Sequence, residues 1–221
     1  MNGSQWRASL LGIAARTRPV RRLPVAARRE ELLELGLELF SARTYDEVSL
    51  DEIAAAAGIS KGLVYHYFPS KRDLYVASLK VASDRLLACT EPDPGLPKAA
   101  QLYHALTAYL DFVERYAKSY TALIKGGVGS DREAAAIVDL SRTAIIERVL
   151  SAIGVDNRAV PPALRLVVRG WIGFVEAVST DWLETQSITK EQLLQLMAGT
   201  LAATLPGAEA IDPTIRLHIE D

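Results

Sequence analysis

The sequence predicts an all-α protein. Alanine and leucine dominate the composition while β-branched residues are modest, which favours helix over strand. Apolar residues recur at helical spacing in several segments, and five of the predicted helices are preceded by a capping signal. No segment shows a strand pattern, and the chain contains no internal repeat. Within the all-α class, the architecture therefore depends on how the helices are grouped into domains.

Composition limits the class of protein before any motif is considered. The chain has 221 residues, of which 49% are apolar, enough to bury a core. Its single cysteine, Cys89, excludes an intramolecular disulfide and a thiolate metal cluster, as expected in a reducing cytosol. No apolar run approaches the length of about 20 residues that spans a bilayer. We therefore expect a cytoplasmic protein that does not enter a membrane.

Basic charge is concentrated at the N-terminus. The net charge is −2, yet residues 1–29 contain seven arginines and no acidic residue. Such a distribution is typical of an arm that meets a polyanion, and we predict a basic flexible arm over residues 1–25. The alternative is a solubilising leader, or residues that precede the true start codon.

Two short helices with an unusually tight connection follow the first helix, which is predicted over residues 26–42. Ser49 and Glu52 form a capping box that begins the helix Leu50–Ala57. Gly58 is the residue type that accepts the left-handed conformation after a helix. Only one residue separates it from Ser60, the predicted N-cap of a helix over residues 61–68. This spacing predicts a helix-turn-helix.

Breaker residues divide the rest of the chain. Pro69 ends the third helix, and Ser70 begins a longer connecting helix that is predicted to reach residue 88. After a proline-rich cluster at 91–97, further helices are predicted. They cover residues 98–120, a segment capped by Ser130 and ending near 153, residues 163–183, and a segment capped by Thr189 that ends at Thr204. We predict a helix-turn-helix domain over 26–80, a larger helical domain over 81–204 and a loosely attached tail over 205–221.

The predicted third helix has the pattern of a DNA-reading helix. Val64 and Phe68 are one turn apart and mark its buried edge, and the opposite surface is free to enter the major groove. That surface is expected to meet base edges through Gly62, Leu63 and His66. Long or polar side chains around it have the reach and chemistry for phosphate oxygens, and helix N-termini favour anions. The predicted phosphate contacts are Ser49, Lys61, Tyr65, Tyr67 and Lys71.

Each of these residues also has a purely structural interpretation. Ser49 and Ser60 act as helix caps in any case, and Lys71 is a normal residue at a helix start. Tyr65 and Tyr67 are equally typical of packing residues, and His66 of a solvated surface. The functional interpretation is favoured because the residues converge on one short unit.

The sequence over residues 26–80 resembles the TetR family of bacterial regulators. The resemblance is carried by three runs, SLDEIA at 49–54, AGISKG at 57–62 and YHYFPSKRDL at 65–74. It implies an all-helical homodimer whose connecting helix leads into a ligand-binding and dimerising domain, and most members are repressors that release DNA when a small molecule binds. By this likeness the family's DNA contacts fall on Ser60, Lys61, Leu63, Tyr65, His66, Tyr67 and Lys71. Tyr67 stands where the family often has histidine.

Aromatic residues of the second half are candidates for a ligand pocket. Four of them recur at helical spacing, and hydroxyl or indole groups can anchor a ligand in an apolar site. The candidates are Tyr103, Tyr109, Phe112, Tyr116, Tyr120, Trp171 and Phe174. Each is also what a helical core requires.

The helix over 163–183 is apolar nearly all round, which requires burial on more than one side. A core or pocket on one face and a partner subunit on the other satisfy this requirement, and with the final helix it can form a two-fold four-helix interface. Glu176 within this helix either anchors a polar group of a ligand or pairs with Arg169.

Two other classes of function, an enzyme and an interaction module, are the alternatives to a regulator. The three histidines are scattered, and no complete nucleotide-binding fingerprint is present, so neither an enzyme nor any metal or cofactor is expected. A helical interaction module without DNA binding is the remaining alternative. The sequence favours a regulator whose partners are an operator in double-stranded DNA, a small-molecule effector and a second copy of the chain.

Overall fold

The computed structural model describes residues 24–117, 120–121, 131–155 and 159–215, and these residues form helices without strands. Apart from Pro24 and Val25, the predicted arm lies outside the described residues, and so does Ser130. The helices are α1 (Val25–Ala42), α2 (Leu50–Ala57), α3 (Lys61–Tyr67), α4 (Lys71–Cys89), α5 (Lys98–Arg115), α6 (Arg132–Ala152), α7 (Pro162–Thr185) and α8 (Lys190–Ile211).

Local signals set the geometry between α2 and α3. Ser49 and Glu52 form both hydrogen bonds of the capping box, and Gly58 adopts φ 65° and ψ 34°, the left-handed conformation. The Ser60 side chain then accepts a hydrogen bond from the backbone N–H of Leu63. The predicted helix-turn-helix is present, and it is defined by these caps.

One hydrophobic cluster, here called the HTH core, holds α1, α2 and α3 against the first half of α4. Its fully buried side chains include Leu32, Ile53, Val64 and Leu74. Ala134 of α6 is also buried in this cluster. The beginning of α6 therefore packs on the helix-turn-helix.

A second cluster, here called the C-terminal core, joins α5, α6, α7 and α8. It is built around fully buried side chains such as Leu110, Leu150, Leu164 and Met197. Leu86, near the end of α4, packs against it. Helix α4 thus contributes to both cores and connects them.

Two helix boundaries in the middle of the chain differ from the sequence prediction. Helix α5 ends at Arg115 and not at Tyr120, because Tyr116 leaves the helical conformation at φ −113° and ψ 27°. Helix α6 is capped by Asp131, whose carboxylate accepts from the N–H groups of Glu133 and Ala134. A carboxylate caps as well as a hydroxyl does, and Asp131 is the N-cap where the sequence prediction placed the cap one residue earlier.

The predicted tail is wrong up to Ile215. Helix α8 continues seven residues past Thr204 and runs through Pro206 to Ile211. Proline removes one backbone donor from a helix, but Leu205, Ala208 and Ile215 are buried in the C-terminal core. Burial of these apolar groups offsets the local cost of the proline and keeps the segment attached.

None of the helices in the described part of the chain combines the length and apolar character that a membrane crossing requires.

The crossing of α1 and α4 gives a stability prediction. A Cβ at Gly36 would lie 2.7 Å from Ser78 Oγ and 3.3 Å from a Leu74 methyl group. The Ser78 hydroxyl is itself buried without a hydrogen-bond partner among the described residues. Gly36→Ala should cost roughly 1–3 kcal/mol through overpacking, while Ser78→Ala should be neutral or stabilising because it removes an unsatisfied group.

Thermal unfolding of both single variants and the double variant checks this. The double variant should recover part of the loss in Gly36→Ala. Gly207→Ala is the matched control, because a Cβ at that helical glycine meets nothing within 4 Å. A Gly36→Ala protein as stable as the wild type would contradict the close approach.

Candidate DNA-binding surface and internal cavity

Helix α3 presents a free surface opposite its buried edge. Val64 is 0% exposed and Phe68 is 2% exposed. On the other side Leu63 is 37% and Tyr65 is 44% exposed, and Gly62 and His66 are also exposed. Tyr67 is half-buried with its ring 5.4 Å from that of His66. The surface has the accessibility that a groove-reading helix requires.

Ser49 is the N-cap of α2 and binds the backbone of its first turn. Its hydroxyl accepts from the N–H of Glu52 and lies 3.1 Å from that residue's carboxylate. The hydrogen bond from Arg43, with those from Ser49, lowers the pKa of Glu52 to about 2. The structural role of this serine as a cap is thus observed, and its contact with phosphate remains a prediction.

The two lysines of the predicted surface have acceptors within the chain. Lys61 Nζ lies 2.7 Å from the carboxylate of Asp51, and both side chains are exposed. Lys71 Nζ donates to the carbonyl oxygens of Tyr45 and Val48, at 2.9 and 3.1 Å, and sits 4.2 Å from the Tyr45 ring centre. Lys71 therefore ties the loop between α1 and α2 to α4, a role that its sequence position did not reveal.

A cavity of about 600 Å³ lies beside α4 and is lined by residues of both cores. Seven of the eight predicted pocket residues line it, namely Tyr103, Tyr109, Phe112, Tyr116, Tyr120, Trp171 and Glu176. Phe174 does not, because it lies outside the arc of α7, from Trp171 to Glu176, that the packing of the other helices turns toward the cavity. It packs against the C-terminal core instead.

Sequence reasoning missed the part of the cavity wall that comes from the helix-turn-helix domain. Leu37 and Phe40 of α1 and Tyr75 of α4 line the cavity together with Trp171 and Ile172 of α7. Their apolar periodicity predicts burial but not which helices they face. Only the packing of α4 against both cores brings them to the same space.

Several polar groups in the cavity wall are paired, while the Ser78 hydroxyl has no hydrogen-bond partner among the described residues. The hydroxyl groups of Tyr109 and Tyr120 are hydrogen-bonded to each other. Burial raises the pKa of Tyr109 to about 12 and raises that of Tyr120 as well, so both are neutral hydroxyls at neutral pH. Arg142 makes two hydrogen bonds to the Glu176 carboxylate, at 2.7 and 2.9 Å.

The predicted pairing of Glu176 with Arg169 is therefore wrong. Arg169 lies 3.9 Å from Asp139 instead. The true partner, Arg142, is on α6, 34 residues away in sequence. Helix α6 packs along α7, and no spacing rule within one helix predicts such a pair.

Arg85 of α4 connects the cavity wall to the first helix. Its guanidinium donates to the Glu34 carboxylate on α1 and, at 3.4 Å, to the Tyr116 hydroxyl. Tyr116 lines the cavity at the end of α5. Tyr116 thus contacts an ion pair that joins α1 to α4.

An exposed second helix in a helix-turn-helix, joined through one helix to a domain with a cavity, defines the class of DNA-binding transcriptional regulators. The chain matches the family model "Bacterial regulatory proteins, tetR family" over residues 32–77. It matches "Tetracyclin repressor-like, C-terminal domain" over residues 99–204. The chain therefore belongs to the TetR family.

Individual relatives agree with this assignment. A tetR-family regulator from Streptomyces coelicolor is 38% identical, with 87% of this chain and 86% of that chain covered and a TM-score of 0.82. The transcriptional activator FasR of Mycolicibacterium smegmatis is 29% identical over 73% of this chain and 75% of its own length. IcaR of Staphylococcus aureus, a negative transcriptional regulator, is 30% identical over 43% of this chain and 53% of its own.

These similarities settle the choice between classes. The matched families and relatives are transcriptional regulators and not enzymes. The chain is a DNA-binding regulator, which also sets aside an interaction module without DNA binding.

His66 and Lys61 should affect DNA binding in different ways. His66→Ala should change the preferred base at one operator position, at a typical cost of about 1–3 kcal/mol there. Lys61→Gln should weaken all sequences similarly and lower the slope of log K against log[salt] by about 0.9, because it removes a phosphate contact. Binding titrations on an operator and on single-base variants measure both. Equal losses on specific and random DNA for His66→Ala would contradict base reading.

Proposed function

We propose that this protein represses transcription as a homodimer bound to an operator, and leaves the operator when a small, largely apolar effector enters the cavity. The observation that carries the proposal is the shared cavity wall. Leu37 and Phe40 of the DNA-binding domain line the same space as Trp171 of the C-terminal core. A ligand in that space therefore contacts both domains at once.

The wall also indicates the chemistry of the effector. Most of its lining residues are apolar, which favours a ligand with an apolar body. Arg142 and Glu176 neutralise each other, and Tyr109 and Tyr120 remain uncharged. An uncharged molecule with one hydrogen-bonding group near these residues fits this wall best, because a lone buried charge would lack a counter-ion.

Helix α4 supplies a route for the response. An effector that moves Tyr116 or Tyr75 acts on α4, which also packs against α1 and carries Arg85. A hundredfold loss of operator affinity corresponds to a coupling free energy of only about 2.7 kcal/mol between effector binding and operator binding. This free energy is comparable to the one gained by burying one large apolar side chain.

We propose that the protein lowers transcription of its target and is therefore a repressor. The names of two relatives include one activator and one negative regulator. An operator that overlaps a promoter excludes polymerase when it is occupied, so deletion of this protein should raise transcription of its target. A reporter driven by the upstream region of its own gene measures that sign.

The effector site is tested by filling the cavity. Ala105 lines it, and Ala105→Phe should fill part of its volume. The neutral fluorescent probe N-phenyl-1-naphthylamine should bind the wild type and lose at least tenfold in affinity for the variant. Ala136→Phe, on an exposed part of α6 outside the cavity, is the control and should bind the probe normally. Equal probe binding by all three proteins would argue against this cavity as the effector site.

The same variants are then titrated with operator DNA. Both should retain operator binding, because neither residue lies on α3. Co-purified ligand identified by mass spectrometry and added back should release the wild type from the operator, but not Ala105→Phe. A ligand that fills the cavity without changing operator affinity would refute effector-controlled release.

The proposed dimer uses the exposed faces of α7 and α8. Leu166 is 72% exposed and lies on one stripe with Gly170 and Gly173, where an added Cβ meets nothing within 4 Å. Leu196, at 46% exposed, occupies a comparable position on α8. Small and apolar exposed residues allow two helix pairs to approach closely in a four-helix interface.

Leu166→Glu should convert the dimer to a monomer at micromolar concentration, because it places charges at the centre of this interface. Leu140→Glu is the matched control, since Leu140 is 70% exposed but lies on α6. Light scattering after size-exclusion chromatography gives the masses. A Leu166→Glu protein that remains dimeric would exclude this face, and a monomeric wild type would exclude the dimer itself.

A further inference from the structure

Three aromatic rings form a cluster between the cavity and the loop that leads into α2. Phe40 and Tyr75 line the cavity, and their ring centres lie 5.1 Å apart in an edge-to-face contact. Tyr45 belongs to the loop over residues 43–49, and its ring centre lies 5.2 Å from that of Tyr75 and 6.2 Å from that of Phe40. The loop is therefore in direct contact with two side chains of the cavity wall.

Lys71, in the first turn of α4, holds both Tyr45 and the end of the same loop. Its ammonium group lies 4.2 Å from the centre of the Tyr45 ring and donates to the carbonyl oxygens of Tyr45 and Val48. Val48 is buried and directly precedes Ser49, the N-cap of α2. Hydrogen bonds from a charged donor are strong, so a displacement of Tyr45 acts through Lys71 on the residue that precedes this cap.

The start of α2 is in turn coupled to α3. Ile53 of α2 and Val64 of α3 are fully buried in the HTH core, and Lys61 of α3 pairs with Asp51 of α2. Close-packed interiors transmit a displacement because they contain few voids that could absorb it. A shift at the start of α2 therefore changes the position of α3.

We propose that Tyr45 is a positioning residue, through which a ligand in the cavity changes the orientation of α2 and α3 within the DNA-binding domain. This inference rests on the proposed effector-controlled release and adds the contact that carries it. A ligand that presses on Phe40 or Tyr75 moves a ring that touches Tyr45. Because Tyr45 is held by Lys71, its movement reaches the start of α2, and the surface of α3 no longer matches the groove.

A rigid-body movement makes a different prediction for the same residue. If α4 carries the whole HTH core as one unit, the contacts of Tyr45 inside that core stay unchanged, and its ring has no part in the release of DNA. Removal of the Tyr45 ring thus distinguishes a change within the DNA-binding domain from a movement of that domain.

The test measures the linkage between cavity and operator in the full-length protein. N-phenyl-1-naphthylamine is titrated into each protein alone and into its complex with a saturating operator duplex. The ratio of the two dissociation constants is the linkage, and by reciprocity it equals the factor by which the probe weakens operator binding. Circular dichroism verifies helix content, and thermal unfolding gives the stability of each variant.

The variants separate coupling from folding. Tyr45→Leu removes the ring, and Tyr45→Met, with a flexible side chain that fills irregular space, replaces it if Tyr45→Leu loses helix content. Tyr45→Phe keeps the ring and removes only the hydroxyl group. Leu39→Ala is the stability control, because Leu39 packs partly buried against the HTH core but neither lines the cavity nor belongs to the ring cluster.

The wild type should show a linkage of about tenfold or more, as is usual for coupled sites. Tyr45→Leu should still bind the probe and the operator separately, with a linkage that falls to within about threefold of one. Tyr45→Phe and Leu39→Ala should keep the linkage of the wild type, although Leu39→Ala should unfold at a lower temperature.

Each contrary outcome overturns a particular claim. A Tyr45→Leu protein with the wild-type linkage overturns the inference in favour of rigid-body movement, while the proposed function stands. A folded Tyr45→Leu or Tyr45→Met protein that no longer binds the operator shows that the ring maintains the binding conformation itself, which also overturns the coupling role. If Leu39→Ala loses the linkage as fully as Tyr45→Leu does, the effect is one of general destabilisation and the specific role of the ring is wrong. A wild type without linkage overturns the proposed function instead.

Discussion

The packing of α4 into two hydrophobic cores is the constraint on which the rest of the structure depends. Leu74, Tyr75 and Val76 at its beginning are buried in the HTH core, and Leu86 near its end packs on the C-terminal core. Each large apolar side chain buried in this way contributes about 1.5–3 kcal/mol. A helix that packs into both cores couples the position of one domain to that of the other.

Polar contacts along α4 determine its orientation more than its stability. Arg72 pairs with Asp131 at the first turn, Ser83 and Ser141 share a hydrogen bond of 2.6 Å in the middle, and Arg148 donates to the Leu87 carbonyl at the last turn. The exposed Arg72–Asp131 pair contributes little energy by itself, and the other two contacts are part-buried. These contacts instead fix the orientation of α4, because they hold it against α6 at three points. They thereby set the angle at which α3 is presented.

In this arrangement, the proposed DNA contacts of α3 and the proposed ligand contacts of the cavity depend on different kinds of interaction. We propose that DNA is read through the exposed side chains of α3, where the charge of Lys61 is matched locally by Asp51. The cavity is largely apolar, and of its charged groups Arg142 and Glu176 neutralise each other across α6 and α7. In the proposed mechanism, the binding energy of a ligand in the cavity acts on α4.

Local signals in the sequence by themselves determined the helix-turn-helix. The capping box at Ser49, the left-handed Gly58 and the cap at Ser60 act within four residues, so their effect is encoded where it occurs. Tertiary structure alone decided which side chains meet across helices. The Arg142–Glu176 pair, the position of Lys71 on two carbonyl groups, the exclusion of Phe174 from the cavity and the continuation of α8 through Pro206 all depend on neighbours distant in sequence. No periodicity within a single helix contains that information.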